Sequence, residues 1–153
     1  MREVEVYNMD GVNVALNKAA SQSSDLGSGW PASKGVDGVI NTGLTQTKWE
    51  QGELVCIDKA LIGFISNILS LSLLMLIQGA WWEVDLGSDG AIAIDQFKEV
   101  RIYNRNTGTA YEIGRLSYAN VLLKSEDDGI IGEYNLGSVD WAERTFLVRI
   151  ICN

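Results

Sequence analysis

The stretch Trp81-Trp82-Glu83-Val84-Asp85-Leu86-Gly87 decides the fold class of this chain. Its residues alternate strictly: Trp82, Val84 and Leu86 fall on one side of an extended strand, whereas the first indole and the two carboxylates fall on the other. A period of two that begins with aromatic residues and ends at a glycine is typical of a half-buried strand that closes in a turn. The stretch therefore predicts a core strand of a β-sandwich.

Short segments of the same kind recur along the chain, separated by polar or glycine-containing turns. The predicted strands are Met1–Tyr7, Phe97–Asn104, Ala119–Lys124, Ile130–Leu136 and Phe146–Ile150, and Ala19–Ser24 is a short extended piece. Ala32–Gly38 has room for one helical turn before an Asp-Gly turn. Several short strands with almost no helix predict an all-β fold, an antiparallel sandwich. Its expected core consists of Trp82, Val84, Leu86, Val100, Ile102, Val121, Leu123, Phe146, Val148 and Ile150.

Composition narrows the classes of function. The chain has 153 residues, 46% of them hydrophobic, which suits one core and a single domain over residues 1–153. Twelve basic against twenty acidic residues give a net charge of -8, which repels phosphate backbones and argues against nucleic acid as a partner. The absence of histidine removes the commonest general base, the nucleophile pairs that depend on it and most zinc sites. We therefore do not expect an enzyme.

Neither the cysteines nor the N-terminus fix the compartment. Cys56 and Cys152 have no metal-binding spacing and could form at most one disulfide. The first residues contain no apolar run of signal-peptide type. A chain that begins within a predicted strand is either a piece of a longer protein or one whose first strand completes a sheet from an unusual end.

The segment Glu53–Gly79 does not follow the pattern of short strands and polar turns seen in the rest of the chain. Its centre, Ala60–Ile77, is a nearly uncharged apolar run of about eighteen residues, the lower limit for a membrane-spanning helix. A span would place the two halves of one sandwich on opposite sides of a bilayer, so a membrane protein is not expected. We expect an atypical insertion that projects as a helix with few contacts to the core. Our hypothesis for its origin is a retained, translated intron, and the rival is a real hydrophobic helix that docks on a membrane or a partner.

Ordered blocks of this sequence are similar to a known family. They are Asn13–Ser24, the loop Ala32-Ser33-Lys34-Gly35-Val36-Asp37-Gly38, the double-tryptophan strand, Val100–Arg105 and Arg115–Ser117. In this order they resemble the discoidin or coagulation-factor type C domain, and most of all its fucose-binding F-type lectin branch. The resemblance covers most of the chain outside the apolar segment. It implies a galactose-binding-like jelly-roll β-sandwich that binds glycans and has no catalytic activity.

The resemblance also implies a structural Ca²⁺ ion. In the family the loop that here contains Asp37 holds the ion through main-chain carbonyls and the aspartate, and a glutamate from a Glu-Val-Glu-Val strand completes the shell. That motif lies at the front of this chain, with Glu3 as its first carboxylate. Hard oxygen ligands from a turn and a carboxylate suit Ca²⁺. The candidate ligands are the carboxylates of Asp37 and Glu3, the carbonyls of Lys34, Val39 and Arg2, and a threonine, Thr45 or Thr47. The alternative is that Asp37 only caps its turn.

In the family the Glu-Val-Glu-Val strand follows the last strand of the domain. We therefore expect Met1–Tyr7 to lie antiparallel beside the strand Phe146–Ile151. The chain would then correspond to a piece of a tandem-repeat protein in which the last strand of one repeat precedes the next repeat.

For the sugar site, F-type lectins use a histidine and two basic residues, the first in an Arg-x-Asp motif. Arg105-Asn106-Thr107 keeps the arginine and loses the aspartate, Arg115 follows at a longer interval, and the histidine has no counterpart. Two guanidinium groups can still donate paired hydrogen bonds to sugar hydroxyls, and Trp49 or Trp30 could stack on an apolar sugar face. Arg115 could equally brace the sandwich by pairing with Glu83 or Asp85.

The sequence thus predicts a calcium-dependent, non-catalytic carbohydrate-binding module for fucosylated or galactosyl glycans, extracellular or on the cell surface by the resemblance. The alternatives are a discoidin-type adhesion or membrane-docking module with exposed apolar loop tips, or a ligand-free fragment of a multidomain protein. The paired carboxylates Glu126 and Asp127 lie in a turn signal and are interpreted as solvated.

Overall fold

The computed structural model describes residues 1–46, 70–72, 80–86, 97–105, 108, 116, 119–124, 130–138 and 145–148. Within them the chain forms small antiparallel sheets, and helical structure is confined to 3₁₀ turns. The strands are β1 (Glu3–Asn8), β2 (Ala19–Gln22), β3 (Ser70–Ser72), β4 (Trp82–Asp85), β5 (Phe97–Tyr103), β6 (Asn120–Lys124), β7 (Ile130–Asn135) and β8 (Thr145–Val148). A 3₁₀ turn, Ala32–Gly35, lies between β2 and β3. The predicted all-β class is confirmed.

The first sheet contains three strands in the order β1-β5-β8. Both pairings are antiparallel, with Val4 opposite Ile102 and Val6 opposite Val100. These four side chains are fully buried on one face, because residues directly opposite each other in a ladder point to the same side. The expectation that Met1–Tyr7 lies directly beside the last strand is wrong, because β5 separates β1 from β8.

The second sheet contains five strands in the order β2-β4-β3-β6-β7. Its β6–β7 pair spans the predicted turn Glu126–Gly129, which lies outside the described residues. Within the apolar segment the structure describes only Ser70–Ser72, and there the expectation of a projecting helix is wrong. These residues form β3, which pairs antiparallel with β4 at Leu71 and with β6 along its length. An extended segment between β4 and β6 supplies backbone hydrogen-bond partners to both strands, which buried backbone groups require.

One hydrophobic cluster contains side chains from both sheets. The predicted core residues Trp82, Val84, Leu86, Val100, Ile102, Val121 and Leu123 all belong to it. Ile150 and the side chains of Phe146 and Val148 lie outside the described part of the chain. Polar residues are also buried, which the alternation does not predict: Arg2, Glu3, Thr45, Glu99, Asn104 and Lys124.

The double-tryptophan strand anchors the loop that follows the 3₁₀ turn. The buried Trp82 indole donates a hydrogen bond to the Ala32 carbonyl at 2.9 Å. Gly35 lies so close that a Cβ on it would be 2.8 Å from Cζ2 of Trp82, so only glycine fits there without movement. The core strand therefore fixes the start of the loop Ala32–Gln46. Among the described residues there is no helix with the length and apolar character needed to cross a membrane.

Candidate functional site

The loop Ala32–Gln46 runs from the 3₁₀ turn back along the beginning of β1. The Asn17 backbone N–H donates to the Val36 carbonyl at 2.7 Å. At the far end, the Thr45 N–H donates to the Met1 carbonyl at 2.9 Å, and the Met1 nitrogen donates to the Thr45 carbonyl at 3.2 Å. Arg2 is buried, and its Nη1 reaches the Ile40 carbonyl at 3.4 Å. These contacts hold the loop against the first residues of the chain.

Glu3 is the buried carboxylate at this junction. Its side chain is inaccessible to solvent, and its Oε1 accepts a hydrogen bond from the Gly38 backbone N–H at 3.0 Å. Gly38 adopts a φ of +79°, which a residue with a side chain rarely adopts. Among the described residues, the other oxygen, Oε2, has no hydrogen-bond partner. Glycine at the Asp-Gly turn therefore lets the backbone approach Glu3, but only one of the two carboxylate oxygens is satisfied.

The surroundings of Glu3 disfavour the ionised form of its side chain. Burial raises the pKa of Glu3 to about 7, the N–H of Gly38 opposes that rise, and the charges of Asp37 and Glu5 add to it. A buried anion with an unbonded oxygen beside a second carboxylate is stabilised either by a proton or by a cation.

Asp37 is held in two ways. Its Oδ1 accepts the Val39 N–H at 2.9 Å, which is the turn-capping bond of the alternative interpretation. Its Oδ2 lies 3.2 Å from the Lys34 ammonium, an exposed ion pair of small energy. The capping role is therefore present, and the second carboxylate oxygen is paired with the Lys34 ammonium.

Most predicted calcium ligands lie on the two segments that meet here. Glu3 and Arg2 come from the beginning of β1, and Lys34, Asp37 and Val39 from the loop that contacts it. Thr47 lies outside the described residues. Thr45 is buried, and its hydroxyl donates to Oε1 of Gln22. In the described part of the chain, no group of three or more His, Cys, Asp or Glu side chains could hold a metal, so an ion at this junction would rely on main-chain oxygens as well.

These residues fit Ca²⁺ in the donors they offer. Ca²⁺ takes carboxylate and main-chain oxygens in a flexible shell, and the unpartnered Glu3 oxygen is the kind of atom that such an ion satisfies. When bound, Ca²⁺ would supply positive charge between two carboxylates that otherwise repel each other.

The predicted sugar-binding residues are only partly described. Arg105 follows β5 and is half-buried, and its backbone N–H donates to Oδ1 of the buried Asn104 at 2.8 Å. Arg115 and Trp49 lie outside the described residues. The structure therefore places one of the two guanidinium groups near the end of a core strand and does not test whether the other joins it.

Trp30 and Gln22 form a second polar and aromatic site, at the end of β2. Trp30 is 38% exposed, whereas Trp82 is 1% exposed, so Trp30 is open to solvent and Trp82 belongs to the core. The carboxamide of Gln22 accepts from the Thr45 hydroxyl and donates to the Trp30 carbonyl at 2.9 Å and to the Asp25 carboxylate. Sequence reasoning named Trp30 as a stacking residue but missed Gln22, because a glutamine at a strand end carries no distinctive signal.

The outer face of the β1–β5 pair holds a cluster of paired side chains. The Arg101 guanidinium lies 4.5 Å from the centroid of the Tyr7 ring and pairs with Glu99. The Tyr103 hydroxyl donates to Oε2 of Glu5 at 2.8 Å, and burial and that carboxylate raise the pKa of Tyr103. Because these partners satisfy one another, the cluster braces the two strands.

Comparisons of this chain with protein-family models, with curated proteins and with solved structures found no match.

Proposed function

We propose that this chain is a calcium-dependent, non-catalytic carbohydrate-binding module on an antiparallel jelly-roll sandwich, acting outside the cell or at its surface. The observation that carries the proposal is the contact between Glu3 and the Asp37-Gly38 turn, 35 positions apart. The resemblance to F-type lectins selected these two segments from sequence alone. Their meeting around a buried, half-satisfied carboxylate supports a shared cation at that place.

Glycans suit the remaining features better than other partners do. The net charge of -8 disfavours nucleic acids and anionic surfaces. The absence of histidine removes the usual general base, which supports binding without catalysis. Hydrogen-bonding side chains next to an exposed aromatic ring are found at Trp30, and this combination recognises neutral sugars.

The experiment is a glycan array probed with the whole chain, once in Ca²⁺ and once in excess chelator. We expect binding to a subset of galactosyl or fucosyl glycans in Ca²⁺ and its loss in chelator. Binding of the same strength in chelator would show that the cation is not required, and no binding to any glycan in Ca²⁺ would contradict the proposed function.

A second candidate, a membrane-docking module, is favoured by one observation. Met9 and Val12 are 62% and 55% exposed on a tight turn, where the Gly11 N–H donates to the Asn8 carbonyl at 3.0 Å. Exposed apolar side chains on a fixed turn are a means of entering a lipid surface. Co-sedimentation with vesicles of neutral and of acidic lipid, abolished by Met9→Ser with Val12→Ser, would favour this candidate over glycan binding.

A further inference from the structure

We infer that the loop Ser23–Pro31 is a sugar-contacting surface for neutral hexose residues, with Trp30 as its stacking face and Asp25, positioned by Gln22, as its hydrogen-bonding edge. This inference rests on the proposed function and assigns the contact to a particular loop. It does not depend on Arg105, Arg115 or Trp49.

Trp30 is presented to solvent by a backbone that is fixed at several points. Its N–H donates to the Gly27 carbonyl at 3.0 Å, and its carbonyl accepts from the Gln46 N–H at 3.4 Å and from Gln22 Nε2 at 2.9 Å. The Gly27 backbone lies against the six-membered ring, where an added Cβ would be 3.4 Å from Cζ3. An aromatic ring that is held in place yet exposed can accept a ligand at low entropic cost.

A second apolar side chain accompanies the ring. Leu26 is 42% exposed, and its N–H donates to the Gln46 carbonyl at 3.0 Å, so Gln46 bonds to the backbone at both Leu26 and Trp30. The two exposed apolar side chains therefore belong to one pinned loop. Their exposed area suits the C–H face of a hexose, which is apolar on one side and carries hydroxyls along its edge.

The polar groups beside the ring define the hydroxyl partners. Asp25 is exposed, and its Oδ1 already accepts from Gln22 Nε2, which orients the carboxylate. A carboxylate accepts hydrogen bonds from sugar hydroxyls and has no proton to donate at neutral pH. Gln22 is fixed in turn by the buried Thr45, so Gln22 acts as the positioning residue of the loop.

Charge then selects among sugars. A carboxylate on the contact surface and an overall charge of -8 both oppose a ligand that bears a carboxylate or a sulfate. Within the galactosyl and fucosyl glycans of the proposed function, the ligand is therefore a neutral terminal sugar with an exposed C–H face. Sialylated and sulfated forms of the same glycans should bind more weakly.

The test compares Trp30→Ala, Trp30→Phe and the control Ile130→Ala, whose parent side chain is 58% exposed on β7. Each variant is applied to an array that carries terminal galactosyl and fucosyl glycans with their sialylated and sulfated counterparts. The affinity for the free methyl glycoside of the best-bound sugar is then measured by calorimetry, and melting temperatures check folding.

We expect Trp30→Ala to weaken binding at least tenfold, Trp30→Phe to lose less, and Ile130→Ala to bind like the wild type, all with similar melting temperatures. Wild-type binding that Trp30→Ala leaves unchanged would overturn this inference and leave the proposed function standing. A preference for sialylated or sulfated glycans would overturn the assigned ligand class. No glycan binding by the wild type would overturn both proposals.

Discussion

At the scale of single residues, the decisive group is the Glu3 carboxylate. It is fully buried, one oxygen accepts the Gly38 N–H, and the other has no partner in the part of the chain that the structure describes. Such a group costs free energy when it is ionised and uncompensated, because desolvation penalises the charge. A cation at the junction with Asp37 removes that penalty, so the same residue that destabilises the metal-free protein would strengthen metal binding.

The first prediction concerns the pH dependence of the metal-free protein. The pKa of Glu3 is raised from 4.5 to about 7, so folding favours its protonated form. Stability from this group is fully present below pH 4.5 and is lost as the pH rises through 7, by roughly 3 kcal/mol at most. In chelator, Glu3→Gln should therefore gain stability relative to the wild type between pH 5 and pH 8. Urea denaturation at both pH values measures this gain.

Glu133→Gln is the matched control, because Glu133 is an exposed glutamate on β7. It should show the wild-type pH dependence. Parallel pH profiles for Glu3→Gln and the wild type would mean that Glu3 titrates normally and would contradict the account of this carboxylate.

The second prediction concerns Asp37. Asp37→Ala should remove the rise in melting temperature that Ca²⁺ gives the wild type, because it deletes the turn carboxylate next to Glu3. Without metal, the loss of the Val39 N–H partner at 2.9 Å should cost about 1 kcal/mol, which is offset in part because Asp37 no longer repels the Glu3 carboxylate. Asp10→Ala, in the exposed turn after β1, is the control and should keep the calcium response. An undiminished response in Asp37→Ala would remove this residue from the site.

The third prediction concerns Gly35. Gly35→Ala places a methyl group 2.8–3.0 Å from three atoms of the buried Trp82 indole, so the indole or the loop must move. Overpacking of this kind costs about 1–3 kcal/mol, and it should also weaken Ca²⁺ binding because the loop begins there. Gly29→Ala is the control, with nothing within 4 Å of the added methyl. Equal denaturation midpoints for the two variants would contradict the close packing of Gly35 on Trp82.

At the scale of elements, alternation predicted the strands because burial on a pleated sheet has a period of two. That is why β1, β4, β5 and β6 lie within one or two residues of their expected bounds. The neighbour of β1 was predicted wrongly, because strand order depends on contacts distant in sequence, such as Val4 with Ile102, which no local pattern encodes. The burial of polar residues such as Glu99 and Lys124 was missed for the same reason.

The fourth prediction concerns the segment Glu53–Gly79. The retained-intron hypothesis predicts that mature messages mostly lack it, and that the shortened chain folds cooperatively and keeps its calcium response. Ser70–Ser72 form the strand between β4 and β6, so the shortened chain folds only if another strand takes that place. Transcript sequencing and thermal melting of the shortened chain test both parts. Messages that carry the segment in frame, or a shortened chain without a cooperative transition, would make β3 an integral strand and contradict the hypothesis.

At the scale of the whole molecule, the loop Ala32–Gln46 links the candidate cation junction to the Trp30 loop. Ala32–Gln46 starts on the core residue Trp82, contacts Glu3 and pairs with Met1 at Thr45. The Thr45 hydroxyl then holds Gln22, which bonds to the Trp30 carbonyl. A cation that fixes the loop Ala32–Gln46 against β1 would therefore also fix the proposed sugar-contacting loop. This link would explain why sugar binding depends on calcium.

More of the candidate cation site than of the proposed sugar-contacting loop could be predicted from the sequence. Glu3 and Asp37 were found because short motifs carry them, and the structure brings their segments into contact. The hydrogen bonds of Gln22 could not be predicted, because they depend on where the loop Ala32–Gln46 meets the end of β2.

The central claim is that the folded chain binds Ca²⁺ at the junction of Glu3 with the Asp37-Gly38 turn. Its most direct test is the melting temperature of the wild type in chelator, in millimolar Ca²⁺ and in equal Mg²⁺, at pH 7.5. A ligand at 100 times its Kd stabilises the folded state by about 2.7 kcal/mol, so we expect a rise of several degrees with Ca²⁺ and a smaller one with Mg²⁺, which dehydrates reluctantly. A melting temperature that is the same in Ca²⁺ and in chelator would contradict the account.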